Sequence, residues 1–257
     1  MRAVILAGGE GTRLRPYTTV LPKPLMPVGN YPIVEIIVRQ LRNGGVTSCT
    51  FAVGYLHQLI EAYFGDGKSF GVEIDYLRED KPLGTSGPLA ALTDFDEPIL
   101  VLNGDILTDI DYSELYRYHL DRSHDITIAS HAKSVRVDLG VLDLDQRGYL
   151  VDYIEKPEYD FQVSMGVYIF SPSVLEFIPP DERLDFPDLV RTLLRAGRSV
   201  GCYRYDGLWL DIGRTDDYQV ATETFEMYRD RFLPGEPARD CHSDIDVGEK
   251  VAGRRPA

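Results

Sequence analysis

Cysteine is scarce in this chain. Its three copies among 257 residues, Cys49, Cys202 and Cys241, lie far apart, are odd in number and form no C-x-x-C pair, which argues against a disulfide framework and a structural zinc site. Long apolar runs are missing too. No segment approaches the roughly 18 to 20 uninterrupted apolar residues of a membrane span, and the N-terminal run Ala3 to Ala7 is too short for a signal-peptide core and has no cleavage site behind it. The expectation is a protein with no membrane partner and a cytoplasmic location. Positive charge is in deficit: 27 Lys and Arg against 41 Asp and Glu give a formal net charge of -14. Broad binding to nucleic acid, which rests on neutralising many phosphates, is therefore excluded. A small anion remains a candidate ligand wherever cations are concentrated locally.

The chain is otherwise average for a globular protein, with 44% hydrophobic and 26% charged residues. Its length suits one core, and the expected organisation is one catalytic domain over 1–232 followed by a mobile tail over 233–257, where Pro and Gly interrupt any periodicity. Short β-branched runs alternate with helical patterns through the first half: "AVILA", "PIVEIIVRQLRNGG", "SCTFAVG", "LHQLIEAYF", "VEIDYL", "PLAALTDF", "PILVLNGD". That alternation predicts βα units and an α/β fold with a mostly parallel sheet flanked by helices. Beyond Asp111 the texture changes to successive strands, "DITIASHA", "VDLGVLDLD", "YLVDYIEKP" and "VSMGVYIFSP", which predict a mixed β extension. "FPDLVRTLLRAG" reads as a helix, and "TDDYQVATETFEMYRDRF" as another with a Thr cap.

Ligands of open α/β sheets lie beyond the carboxyl ends of the strands, and two glycine-containing segments sit there, "AGGEGTRLRP" and "NGD". Glycine lets backbone N–H groups approach an anion closely, although an ordinary tight turn accounts for glycines alone. The loop lacks the Gly-Lys-Ser/Thr ending of a Walker A motif, and Leu14 stands where the dinucleotide fingerprint needs its third Gly. What distinguishes it is the company of Arg13, Arg15 and Lys23.

The run "LAGGEGTRLRPYT" followed by "PKPLMPV", then "PLGTSGPL", "NGD", "LGVL", "EKP", "MGVYIFSP" and "WLDIGRTDDY" in that order, resembles the sugar-phosphate nucleotidyltransferases, or nucleotide-sugar pyrophosphorylases, from Met1 to about Phe232. The resemblance implies a Rossmann-like α/β sheet with a small β extension for the sugar. It also implies transfer of a nucleotidyl group from a nucleoside triphosphate to a sugar 1-phosphate with release of pyrophosphate. By the same resemblance Arg13, Lys23, Asp105 and Asp211 are the catalytic set, and Asp105 and Asp211 hold Mg²⁺. Leu6, Gly8, Gly9, Gly11, Thr12, Gly84, Thr85 and Asn103 belong to the nucleotide, and Gly140, Glu155 and Lys156 to the sugar phosphate. A homo-oligomer fits the family's habits.

Each assignment has a plainer competitor. Arg13, Arg15 and Lys23 could be solvated charges, and Glu155 and Lys156 could mark a surface turn. Each Asp alone could cap a helix, as Asp109, Asp111 and Asp216 are expected to do. Trp209 is read as packing beside Asp211, and the histidines as ordinary surface or core residues. One departure concerns the sugar, since Ser164 in "VSMGVYIF" stands where members of the family often carry Asn. The "PLGTSG" segment looks more like the guanylyltransferases that make GDP-mannose or GDP-heptose than the thymidylyltransferases. Two alternatives accompany this reading: a catalytically idle nucleotide-sugar-binding regulator, and a cytidylyltransferase acting on a non-sugar phosphate.

Overall fold

The computed structural model describes residues 1–92, 95–237 and 239. The elements in order are β1 (Arg2–Ala7), the two-residue strands β2 (Pro27–Val28) and β3 (Tyr31–Pro32), α1 (Ile33–Asn43), β4 (Ser48–Val53), α2 (His57–Phe64), β5 (Glu73–Arg78), β6 (Ile99–Asn103) and β7 (Ile106–Thr108). There follow α3 (Tyr112–Arg122), β8 (Ile126–Arg136), β9 (Gly140–Leu144), β10 (Leu150–Glu155), β11 (Glu158–Phe170), α4 (Phe186–Arg195), β12 (Val200–Arg204), β13 (Trp209–Asp211) and α5 (Thr215–Phe232). Seven strands form the main sheet in the order β12-β8-β11-β6-β1-β4-β5. β5, β4, β1 and β6 run parallel, β11 inserts antiparallel between β6 and β8, and β12 pairs parallel with β8. The expected α/β fold with a mixed, mostly parallel sheet is what the chain forms.

Apolar side chains on both faces hold the sheet between helices, because consecutive residues of a strand point to opposite sides. In β1, Ala3, Ile5 and Ala7 enter one core with Ile33, Ile37 and Leu41 of α1 and Phe225 of α5. Val4 enters the other, with Phe186, Leu189 and Leu193 of α4. The apolar stripe of α1, Ile33, Ile36, Ile37 and Leu41, is buried, and the helix stops at Gly44, followed by Gly45 at φ +85°.

Three local expectations are corrected. Of "PLAALTDF", residues 88–92 and Phe95 are described, and the only helical turn among them is the 3₁₀ turn Gly87–Ala91. Arg214, not Thr215, is the N-cap of α5, with no side-chain cap bond. Of the segment read as a mobile tail, residues 233–237 and Arg239 have fixed partners: Leu233 is fully buried, Glu236 pairs with Arg39 and Arg42, and Arg239 pairs with Glu35. Residues 240–257, including Cys241, lie outside the described residues.

His119 of α3 is a structural histidine with a pH signature. Its ring nitrogens meet the hydroxyls of Thr127 and Ser171, and burial, reinforced by the nearby His124, pushes its pKa down to about 4 against the pull of Asp125. The unfolded chain binds a proton below about 6.5 that the folded chain refuses until about 4, so this stabilisation is present above 6.5 and lost on acidification through that window. The expected loss is on the order of 3 kcal/mol. Urea titrations between pH 7 and 4 should show it, and His119→Gln should flatten the slope.

Candidate active site

The carboxyl ends of four parallel strands build the site. Gly8 and Gly9 follow β1, Gly54 and Tyr55 follow β4, Glu79 follows β5, and Gly104 and Asp105 follow β6. Together with Leu6, Gly84, Thr85 and Asn103 these segments line a cleft of about 500 Å³, within the range of nucleotide-sized ligand sites. A Cβ on Gly8 would lie 2.5 Å from Glu79 Oε1, so a larger residue there would displace the Glu79 carboxylate from its place over the cleft. Glu79 accepts a hydrogen bond from the Leu83 N–H at 3.1 Å, and burial raises its pKa against that bond. The resemblance gave Glu79 no role. Its position directly after a parallel strand was the signal available.

A second cleft of about 240 Å³ shares Leu6, Gly9 and Asp105 with the first and is otherwise lined by Ala7, Gly11, Thr12, Arg13, Lys23 and Pro24. Gly11 stands at φ +61° and receives the Thr18 hydroxyl on its carbonyl; a Cβ would lie 2.9 Å from Thr18 Cγ2. This left-handed residue turns the chain into the short helix Thr12–Leu14. Lys23 is held between Pro22 and Pro24, only 8% exposed, and its ammonium is ion-paired with Asp105. Arg15 instead pairs with Glu10 at the surface, 3.6 Å away, and lines neither cleft.

Asp211 reaches this place through a strand pairing. β13 runs antiparallel to β7 with Asp211 opposite Ile106, and the Ile212 N–H donates to the Asp105 carbonyl at 3.2 Å. Two carboxylates from distant parts of the chain are thus set side by side. Desolvation and the charge of Asp105 push the Asp211 carboxyl above its ordinary range, against the pull of Lys23 and Arg13; Asp217 of α5 adds to the push. A Cβ on Gly213 would lie 3.6 Å from an Arg13 guanidinium nitrogen and 3.7 Å from Asp211 Oδ2, ordinary contact distances that mark how closely both groups approach this residue.

This donor set suits a magnesium ion. Mg²⁺ is typically held by one or two carboxylates and completes its shell with waters and substrate phosphates. Asp105 and Asp211 supply such a pair, and no group of three or more His, Cys, Asp or Glu poised for a metal occurs among the described residues.

The other expected residues divide. Asn103 lines the larger cleft, and Gly166 makes room for it, because a Cβ there would lie 2.6 Å from the Asn103 amide nitrogen. Thr85 lines the same cleft, but its hydroxyl accepts from the Phe186 N–H at 2.7 Å and ties the loop to the start of α4. Gly140, Glu155 and Lys156 line neither cleft. A Cβ on Gly140 would strike the Tyr153 hydroxyl at 2.2 Å, and that hydroxyl donates to Glu155 at 3.1 Å. Lys156 stands at φ +47°, with its ammonium 3.9 Å from Glu155. Ser164 turns to Tyr168, hydroxyl to hydroxyl at 3.2 Å. Asp111 caps α3 as expected, accepting from the Ser113 and Glu114 N–H groups. Asp109 instead pairs with Arg231 and accepts from Tyr205 and the Leu208 N–H, anchoring the approach to β13. Trp209 packs near His131 and donates its indole N–H to Met165 O at 2.9 Å.

A nucleotide-sized cleft that shares Asp105 with a cationic cleft lies at the carboxyl edge of a Rossmann-like sheet, where open α/β sheets bind their ligands. The chain belongs to the nucleotidyl transferase family, which it matches over residues 2–227. It is 34% identical over 243 residues to a UTP–glucose-1-phosphate uridylyltransferase of Synechocystis, covering 86% of this chain and 62% of that one. It is 34% identical over 229 residues to the mannose-1-phosphate guanylyltransferase catalytic subunit beta of Dictyostelium discoideum, covering 85% and 62%. The chain thus spans about 60% of the length of these relatives. Among solved structures, a putative glucose-1-phosphate thymidylyltransferase of Bacillus anthracis shares the fold with a TM-score of 0.73 at 24% identity, covering 93% of this chain and 98% of that one.

Proposed function

We propose that this chain transfers a nucleotidyl group from a nucleoside triphosphate to a sugar 1-phosphate, with GTP and a mannose- or heptose-type 1-phosphate as the favoured pair. The observation that carries the reading is the β7–β13 pairing, which sets Asp211, itself in the lining of neither cleft, beside the Asp105 that both clefts share and within the charge influence of Lys23 and Arg13. An idle binder would need the nucleotide cleft but not this assembly.

In the reaction a phosphate oxygen of the sugar 1-phosphate bonds to the α-phosphorus, and the bond from that phosphorus to the bridging oxygen of pyrophosphate breaks. The attacking phosphate is already ionised at neutral pH, so the residues supply positioning and charge, not a base. Arg13, which lines the smaller cleft, is assigned to the departing pyrophosphate. Lys23, which neutralises Asp105 in the ligand-free chain, can turn to a phosphate oxygen as the triphosphate enters. Mg²⁺ bound by Asp105 and Asp211 would neutralise phosphate charge and hold the reacting groups in register.

Glu79 supports the choice of base. Guanine presents its N1–H and its exocyclic amino group along one edge, and a carboxylate accepts from both, whereas uracil and thymine offer a single ring N–H there. Glu79→Gln should raise the GTP KM about tenfold, a 1.4 kcal/mol effect, while changing the UTP KM by less than about twofold. For the acceptor side, Lys156→Ala should raise the sugar 1-phosphate KM, and Arg13→Ala the nucleotide KM; equal effects on both substrates would refute the division. The primary test is pyrophosphate release with Mg²⁺ across five nucleoside triphosphates and a panel of hexose and heptose 1-phosphates. Release confined to one pair supports the reading. Silence from folded protein that still binds nucleotide would favour the idle binder or a non-sugar acceptor.

A further inference from the structure

Asp211 is carried to the site by a very short pairing. β13 meets β7 over three residues, Trp209 opposite Thr108, Leu210 opposite Leu107 and Asp211 opposite Ile106, and the two strands form a sheet of their own. Such a ribbon is marginal by itself, and a slip of one residue would turn Asp211 to the opposite face. Something beyond the three pairs must fix the register.

The next residues along the two strands, Asp109 and Leu208, meet in an unusual way. The Asp109 N–H donates to Leu208 O at 3.3 Å, whereas the Leu208 N–H donates to Asp109 Oδ1 at 2.7 Å. Two residues placed like this in an antiparallel ladder ordinarily exchange both backbone bonds. Here the side-chain carboxylate stands in for the Asp109 carbonyl and closes the last rung. Thr108 adds to the same end of the ribbon, its hydroxyl donating to Leu208 O at 2.8 Å.

The Asp109 carboxylate has two further partners. It accepts from the Tyr205 hydroxyl and is ion-paired with Arg231 near the end of α5, and only 6% of the side chain is exposed. Tyr205 is in turn fixed to β8, where its N–H donates to Ser130 O at 2.9 Å and its carbonyl accepts from His131 Nδ1 at 2.8 Å. A Cβ on Gly207 would lie 2.1 Å from the Tyr205 hydroxyl, so a larger residue there would displace the phenol. Asp109 thus joins the main sheet, α5 and the entry to β13. It has no part in capping α3, whose N-cap is Asp111, and it lines neither of the two clefts that meet Asp105.

We propose that Asp109 is a positioning residue for the transfer reaction: by closing the rung between β7 and β13 it fixes where Asp211 stands relative to Asp105. At the other end of the ribbon the Ile212 N–H donates to Asp105 O at 3.2 Å, so Asp211 lies between two fixed rungs. Leu208 is three residues away, about 10 Å along a strand. Loss of the Asp109 rung leaves Asp211 held from one end only. A misplacement of about 1 Å at a reacting site can cost about 10²-fold in rate. The effect on rate rests on the proposed function, whereas the hold on β13 does not.

The test combines a double-mutant cycle with amide exchange, using the substrate pair that the wild type turns over. Asp109→Ala should lower kcat for pyrophosphate release about 10–100-fold and raise the Mg²⁺ concentration for half-maximal rate at least about fivefold. Amides of 208–212 should exchange at least about tenfold faster, and those of β1, β4 and β6 as in the wild type. Asp109→Asn keeps an oxygen for Leu208 and Tyr205 and releases only Arg231, whose side chain is 51% exposed. It should stay within about threefold of the wild-type kcat. In the Asp211→Asn background, Asp109→Ala should lower the residual rate by less than about threefold, because the group it positions is already lost. Should Asp109→Ala fail to fold, Gly207→Ala takes its place, with a kcat loss of about three- to tenfold that again vanishes in the Asp211→Asn background. Full kcat in Asp109→Ala, an equal proportional loss in both backgrounds, or unchanged exchange over 208–212 would each overturn the proposal. A wild type silent with every substrate pair would instead count against the proposed function, and exchange over 208–212 would still decide the hold on β13.

Discussion

Asp211→Asn should lower pyrophosphate release by about 10²–10³-fold, the scale of losing one preorganised electrostatic group from a charge-stabilising site, without lowering the thermal midpoint of the ligand-free protein. The two readouts separate because the ligand-free fold gains nothing from this negative charge. Asp211 lies beside Asp105, and desolvation together with that neighbour pushes its carboxyl above the ordinary range, so the amide removes a repulsion. Asp105→Asn should cost comparable turnover and also lower the midpoint. The Lys23 side chain is 9% exposed and ion-paired with Asp105, and an amide would leave a nearly buried ammonium without its counter-charge. The pair of variants therefore distinguishes the two acids by stability while uniting them by activity. Normal turnover in Asp211→Asn with Mg²⁺ present would show that β13 delivers it to the site for some other purpose. A lowered midpoint in that variant would mean that the carboxylate carries a structural bond beyond those described.

The parts of the site that were legible in the sequence are those encoded by short-range chemistry. "AVILA" and "ILVLN" announce buried parallel strands, and the loops after them fall at the ligand edge by a rule of the fold, so Gly8, Gly9, Asn103 and Asp105 could be placed before any coordinates. Lys23 was legible because prolines on both sides left it no regular element to serve. The juxtaposition of Asp105 and Asp211 was available only through resemblance. It depends on a three-residue antiparallel pairing between β7 and β13, and periodicity over three residues carries no partner information. Asp109 was misread for the same reason: proximity to α3 suggested a cap, but Arg231, Tyr205 and the Leu208 N–H claim it from across the fold. Glu79 escaped because a single acid after a strand resembles any polar loop residue. The start of the segment taken for a tail was misjudged because composition reports low periodicity but not the ion pairs that Glu236 and Arg239 make with α1.

Those ion pairs lead to the other large effect, this one on stability. Glu35 is completely buried in α1 and lies between Arg39, one turn later, and Arg239, with the Tyr63 hydroxyl donating to it as well. Arg39 also pairs with Glu236 and lies over the Tyr31 ring at 5.5 Å. Arg39→Ala strips a buried carboxylate of its nearest cation, a change that typically costs about 3–5 kcal/mol. Because Arg239 and Tyr63 remain, the lower end applies, and about 3 kcal/mol corresponds to a midpoint roughly 6–12 °C lower for a chain of this size. The desolvation of Glu35 should account for most of that loss, rather than a net attraction in the pair. Replacing both partners by Leu should then recover the greater part of it, since apolar side chains in a buried ion-pair site are often neutral or stabilising. Additive losses in Glu35→Leu, Arg39→Leu and the double variant would refute this account and assign the effect to packing of each stem. Recovery in the double variant would mark the pair as a device for fixing where the chain beyond α5 docks, because Glu236 and Arg239 find their places through these same two residues.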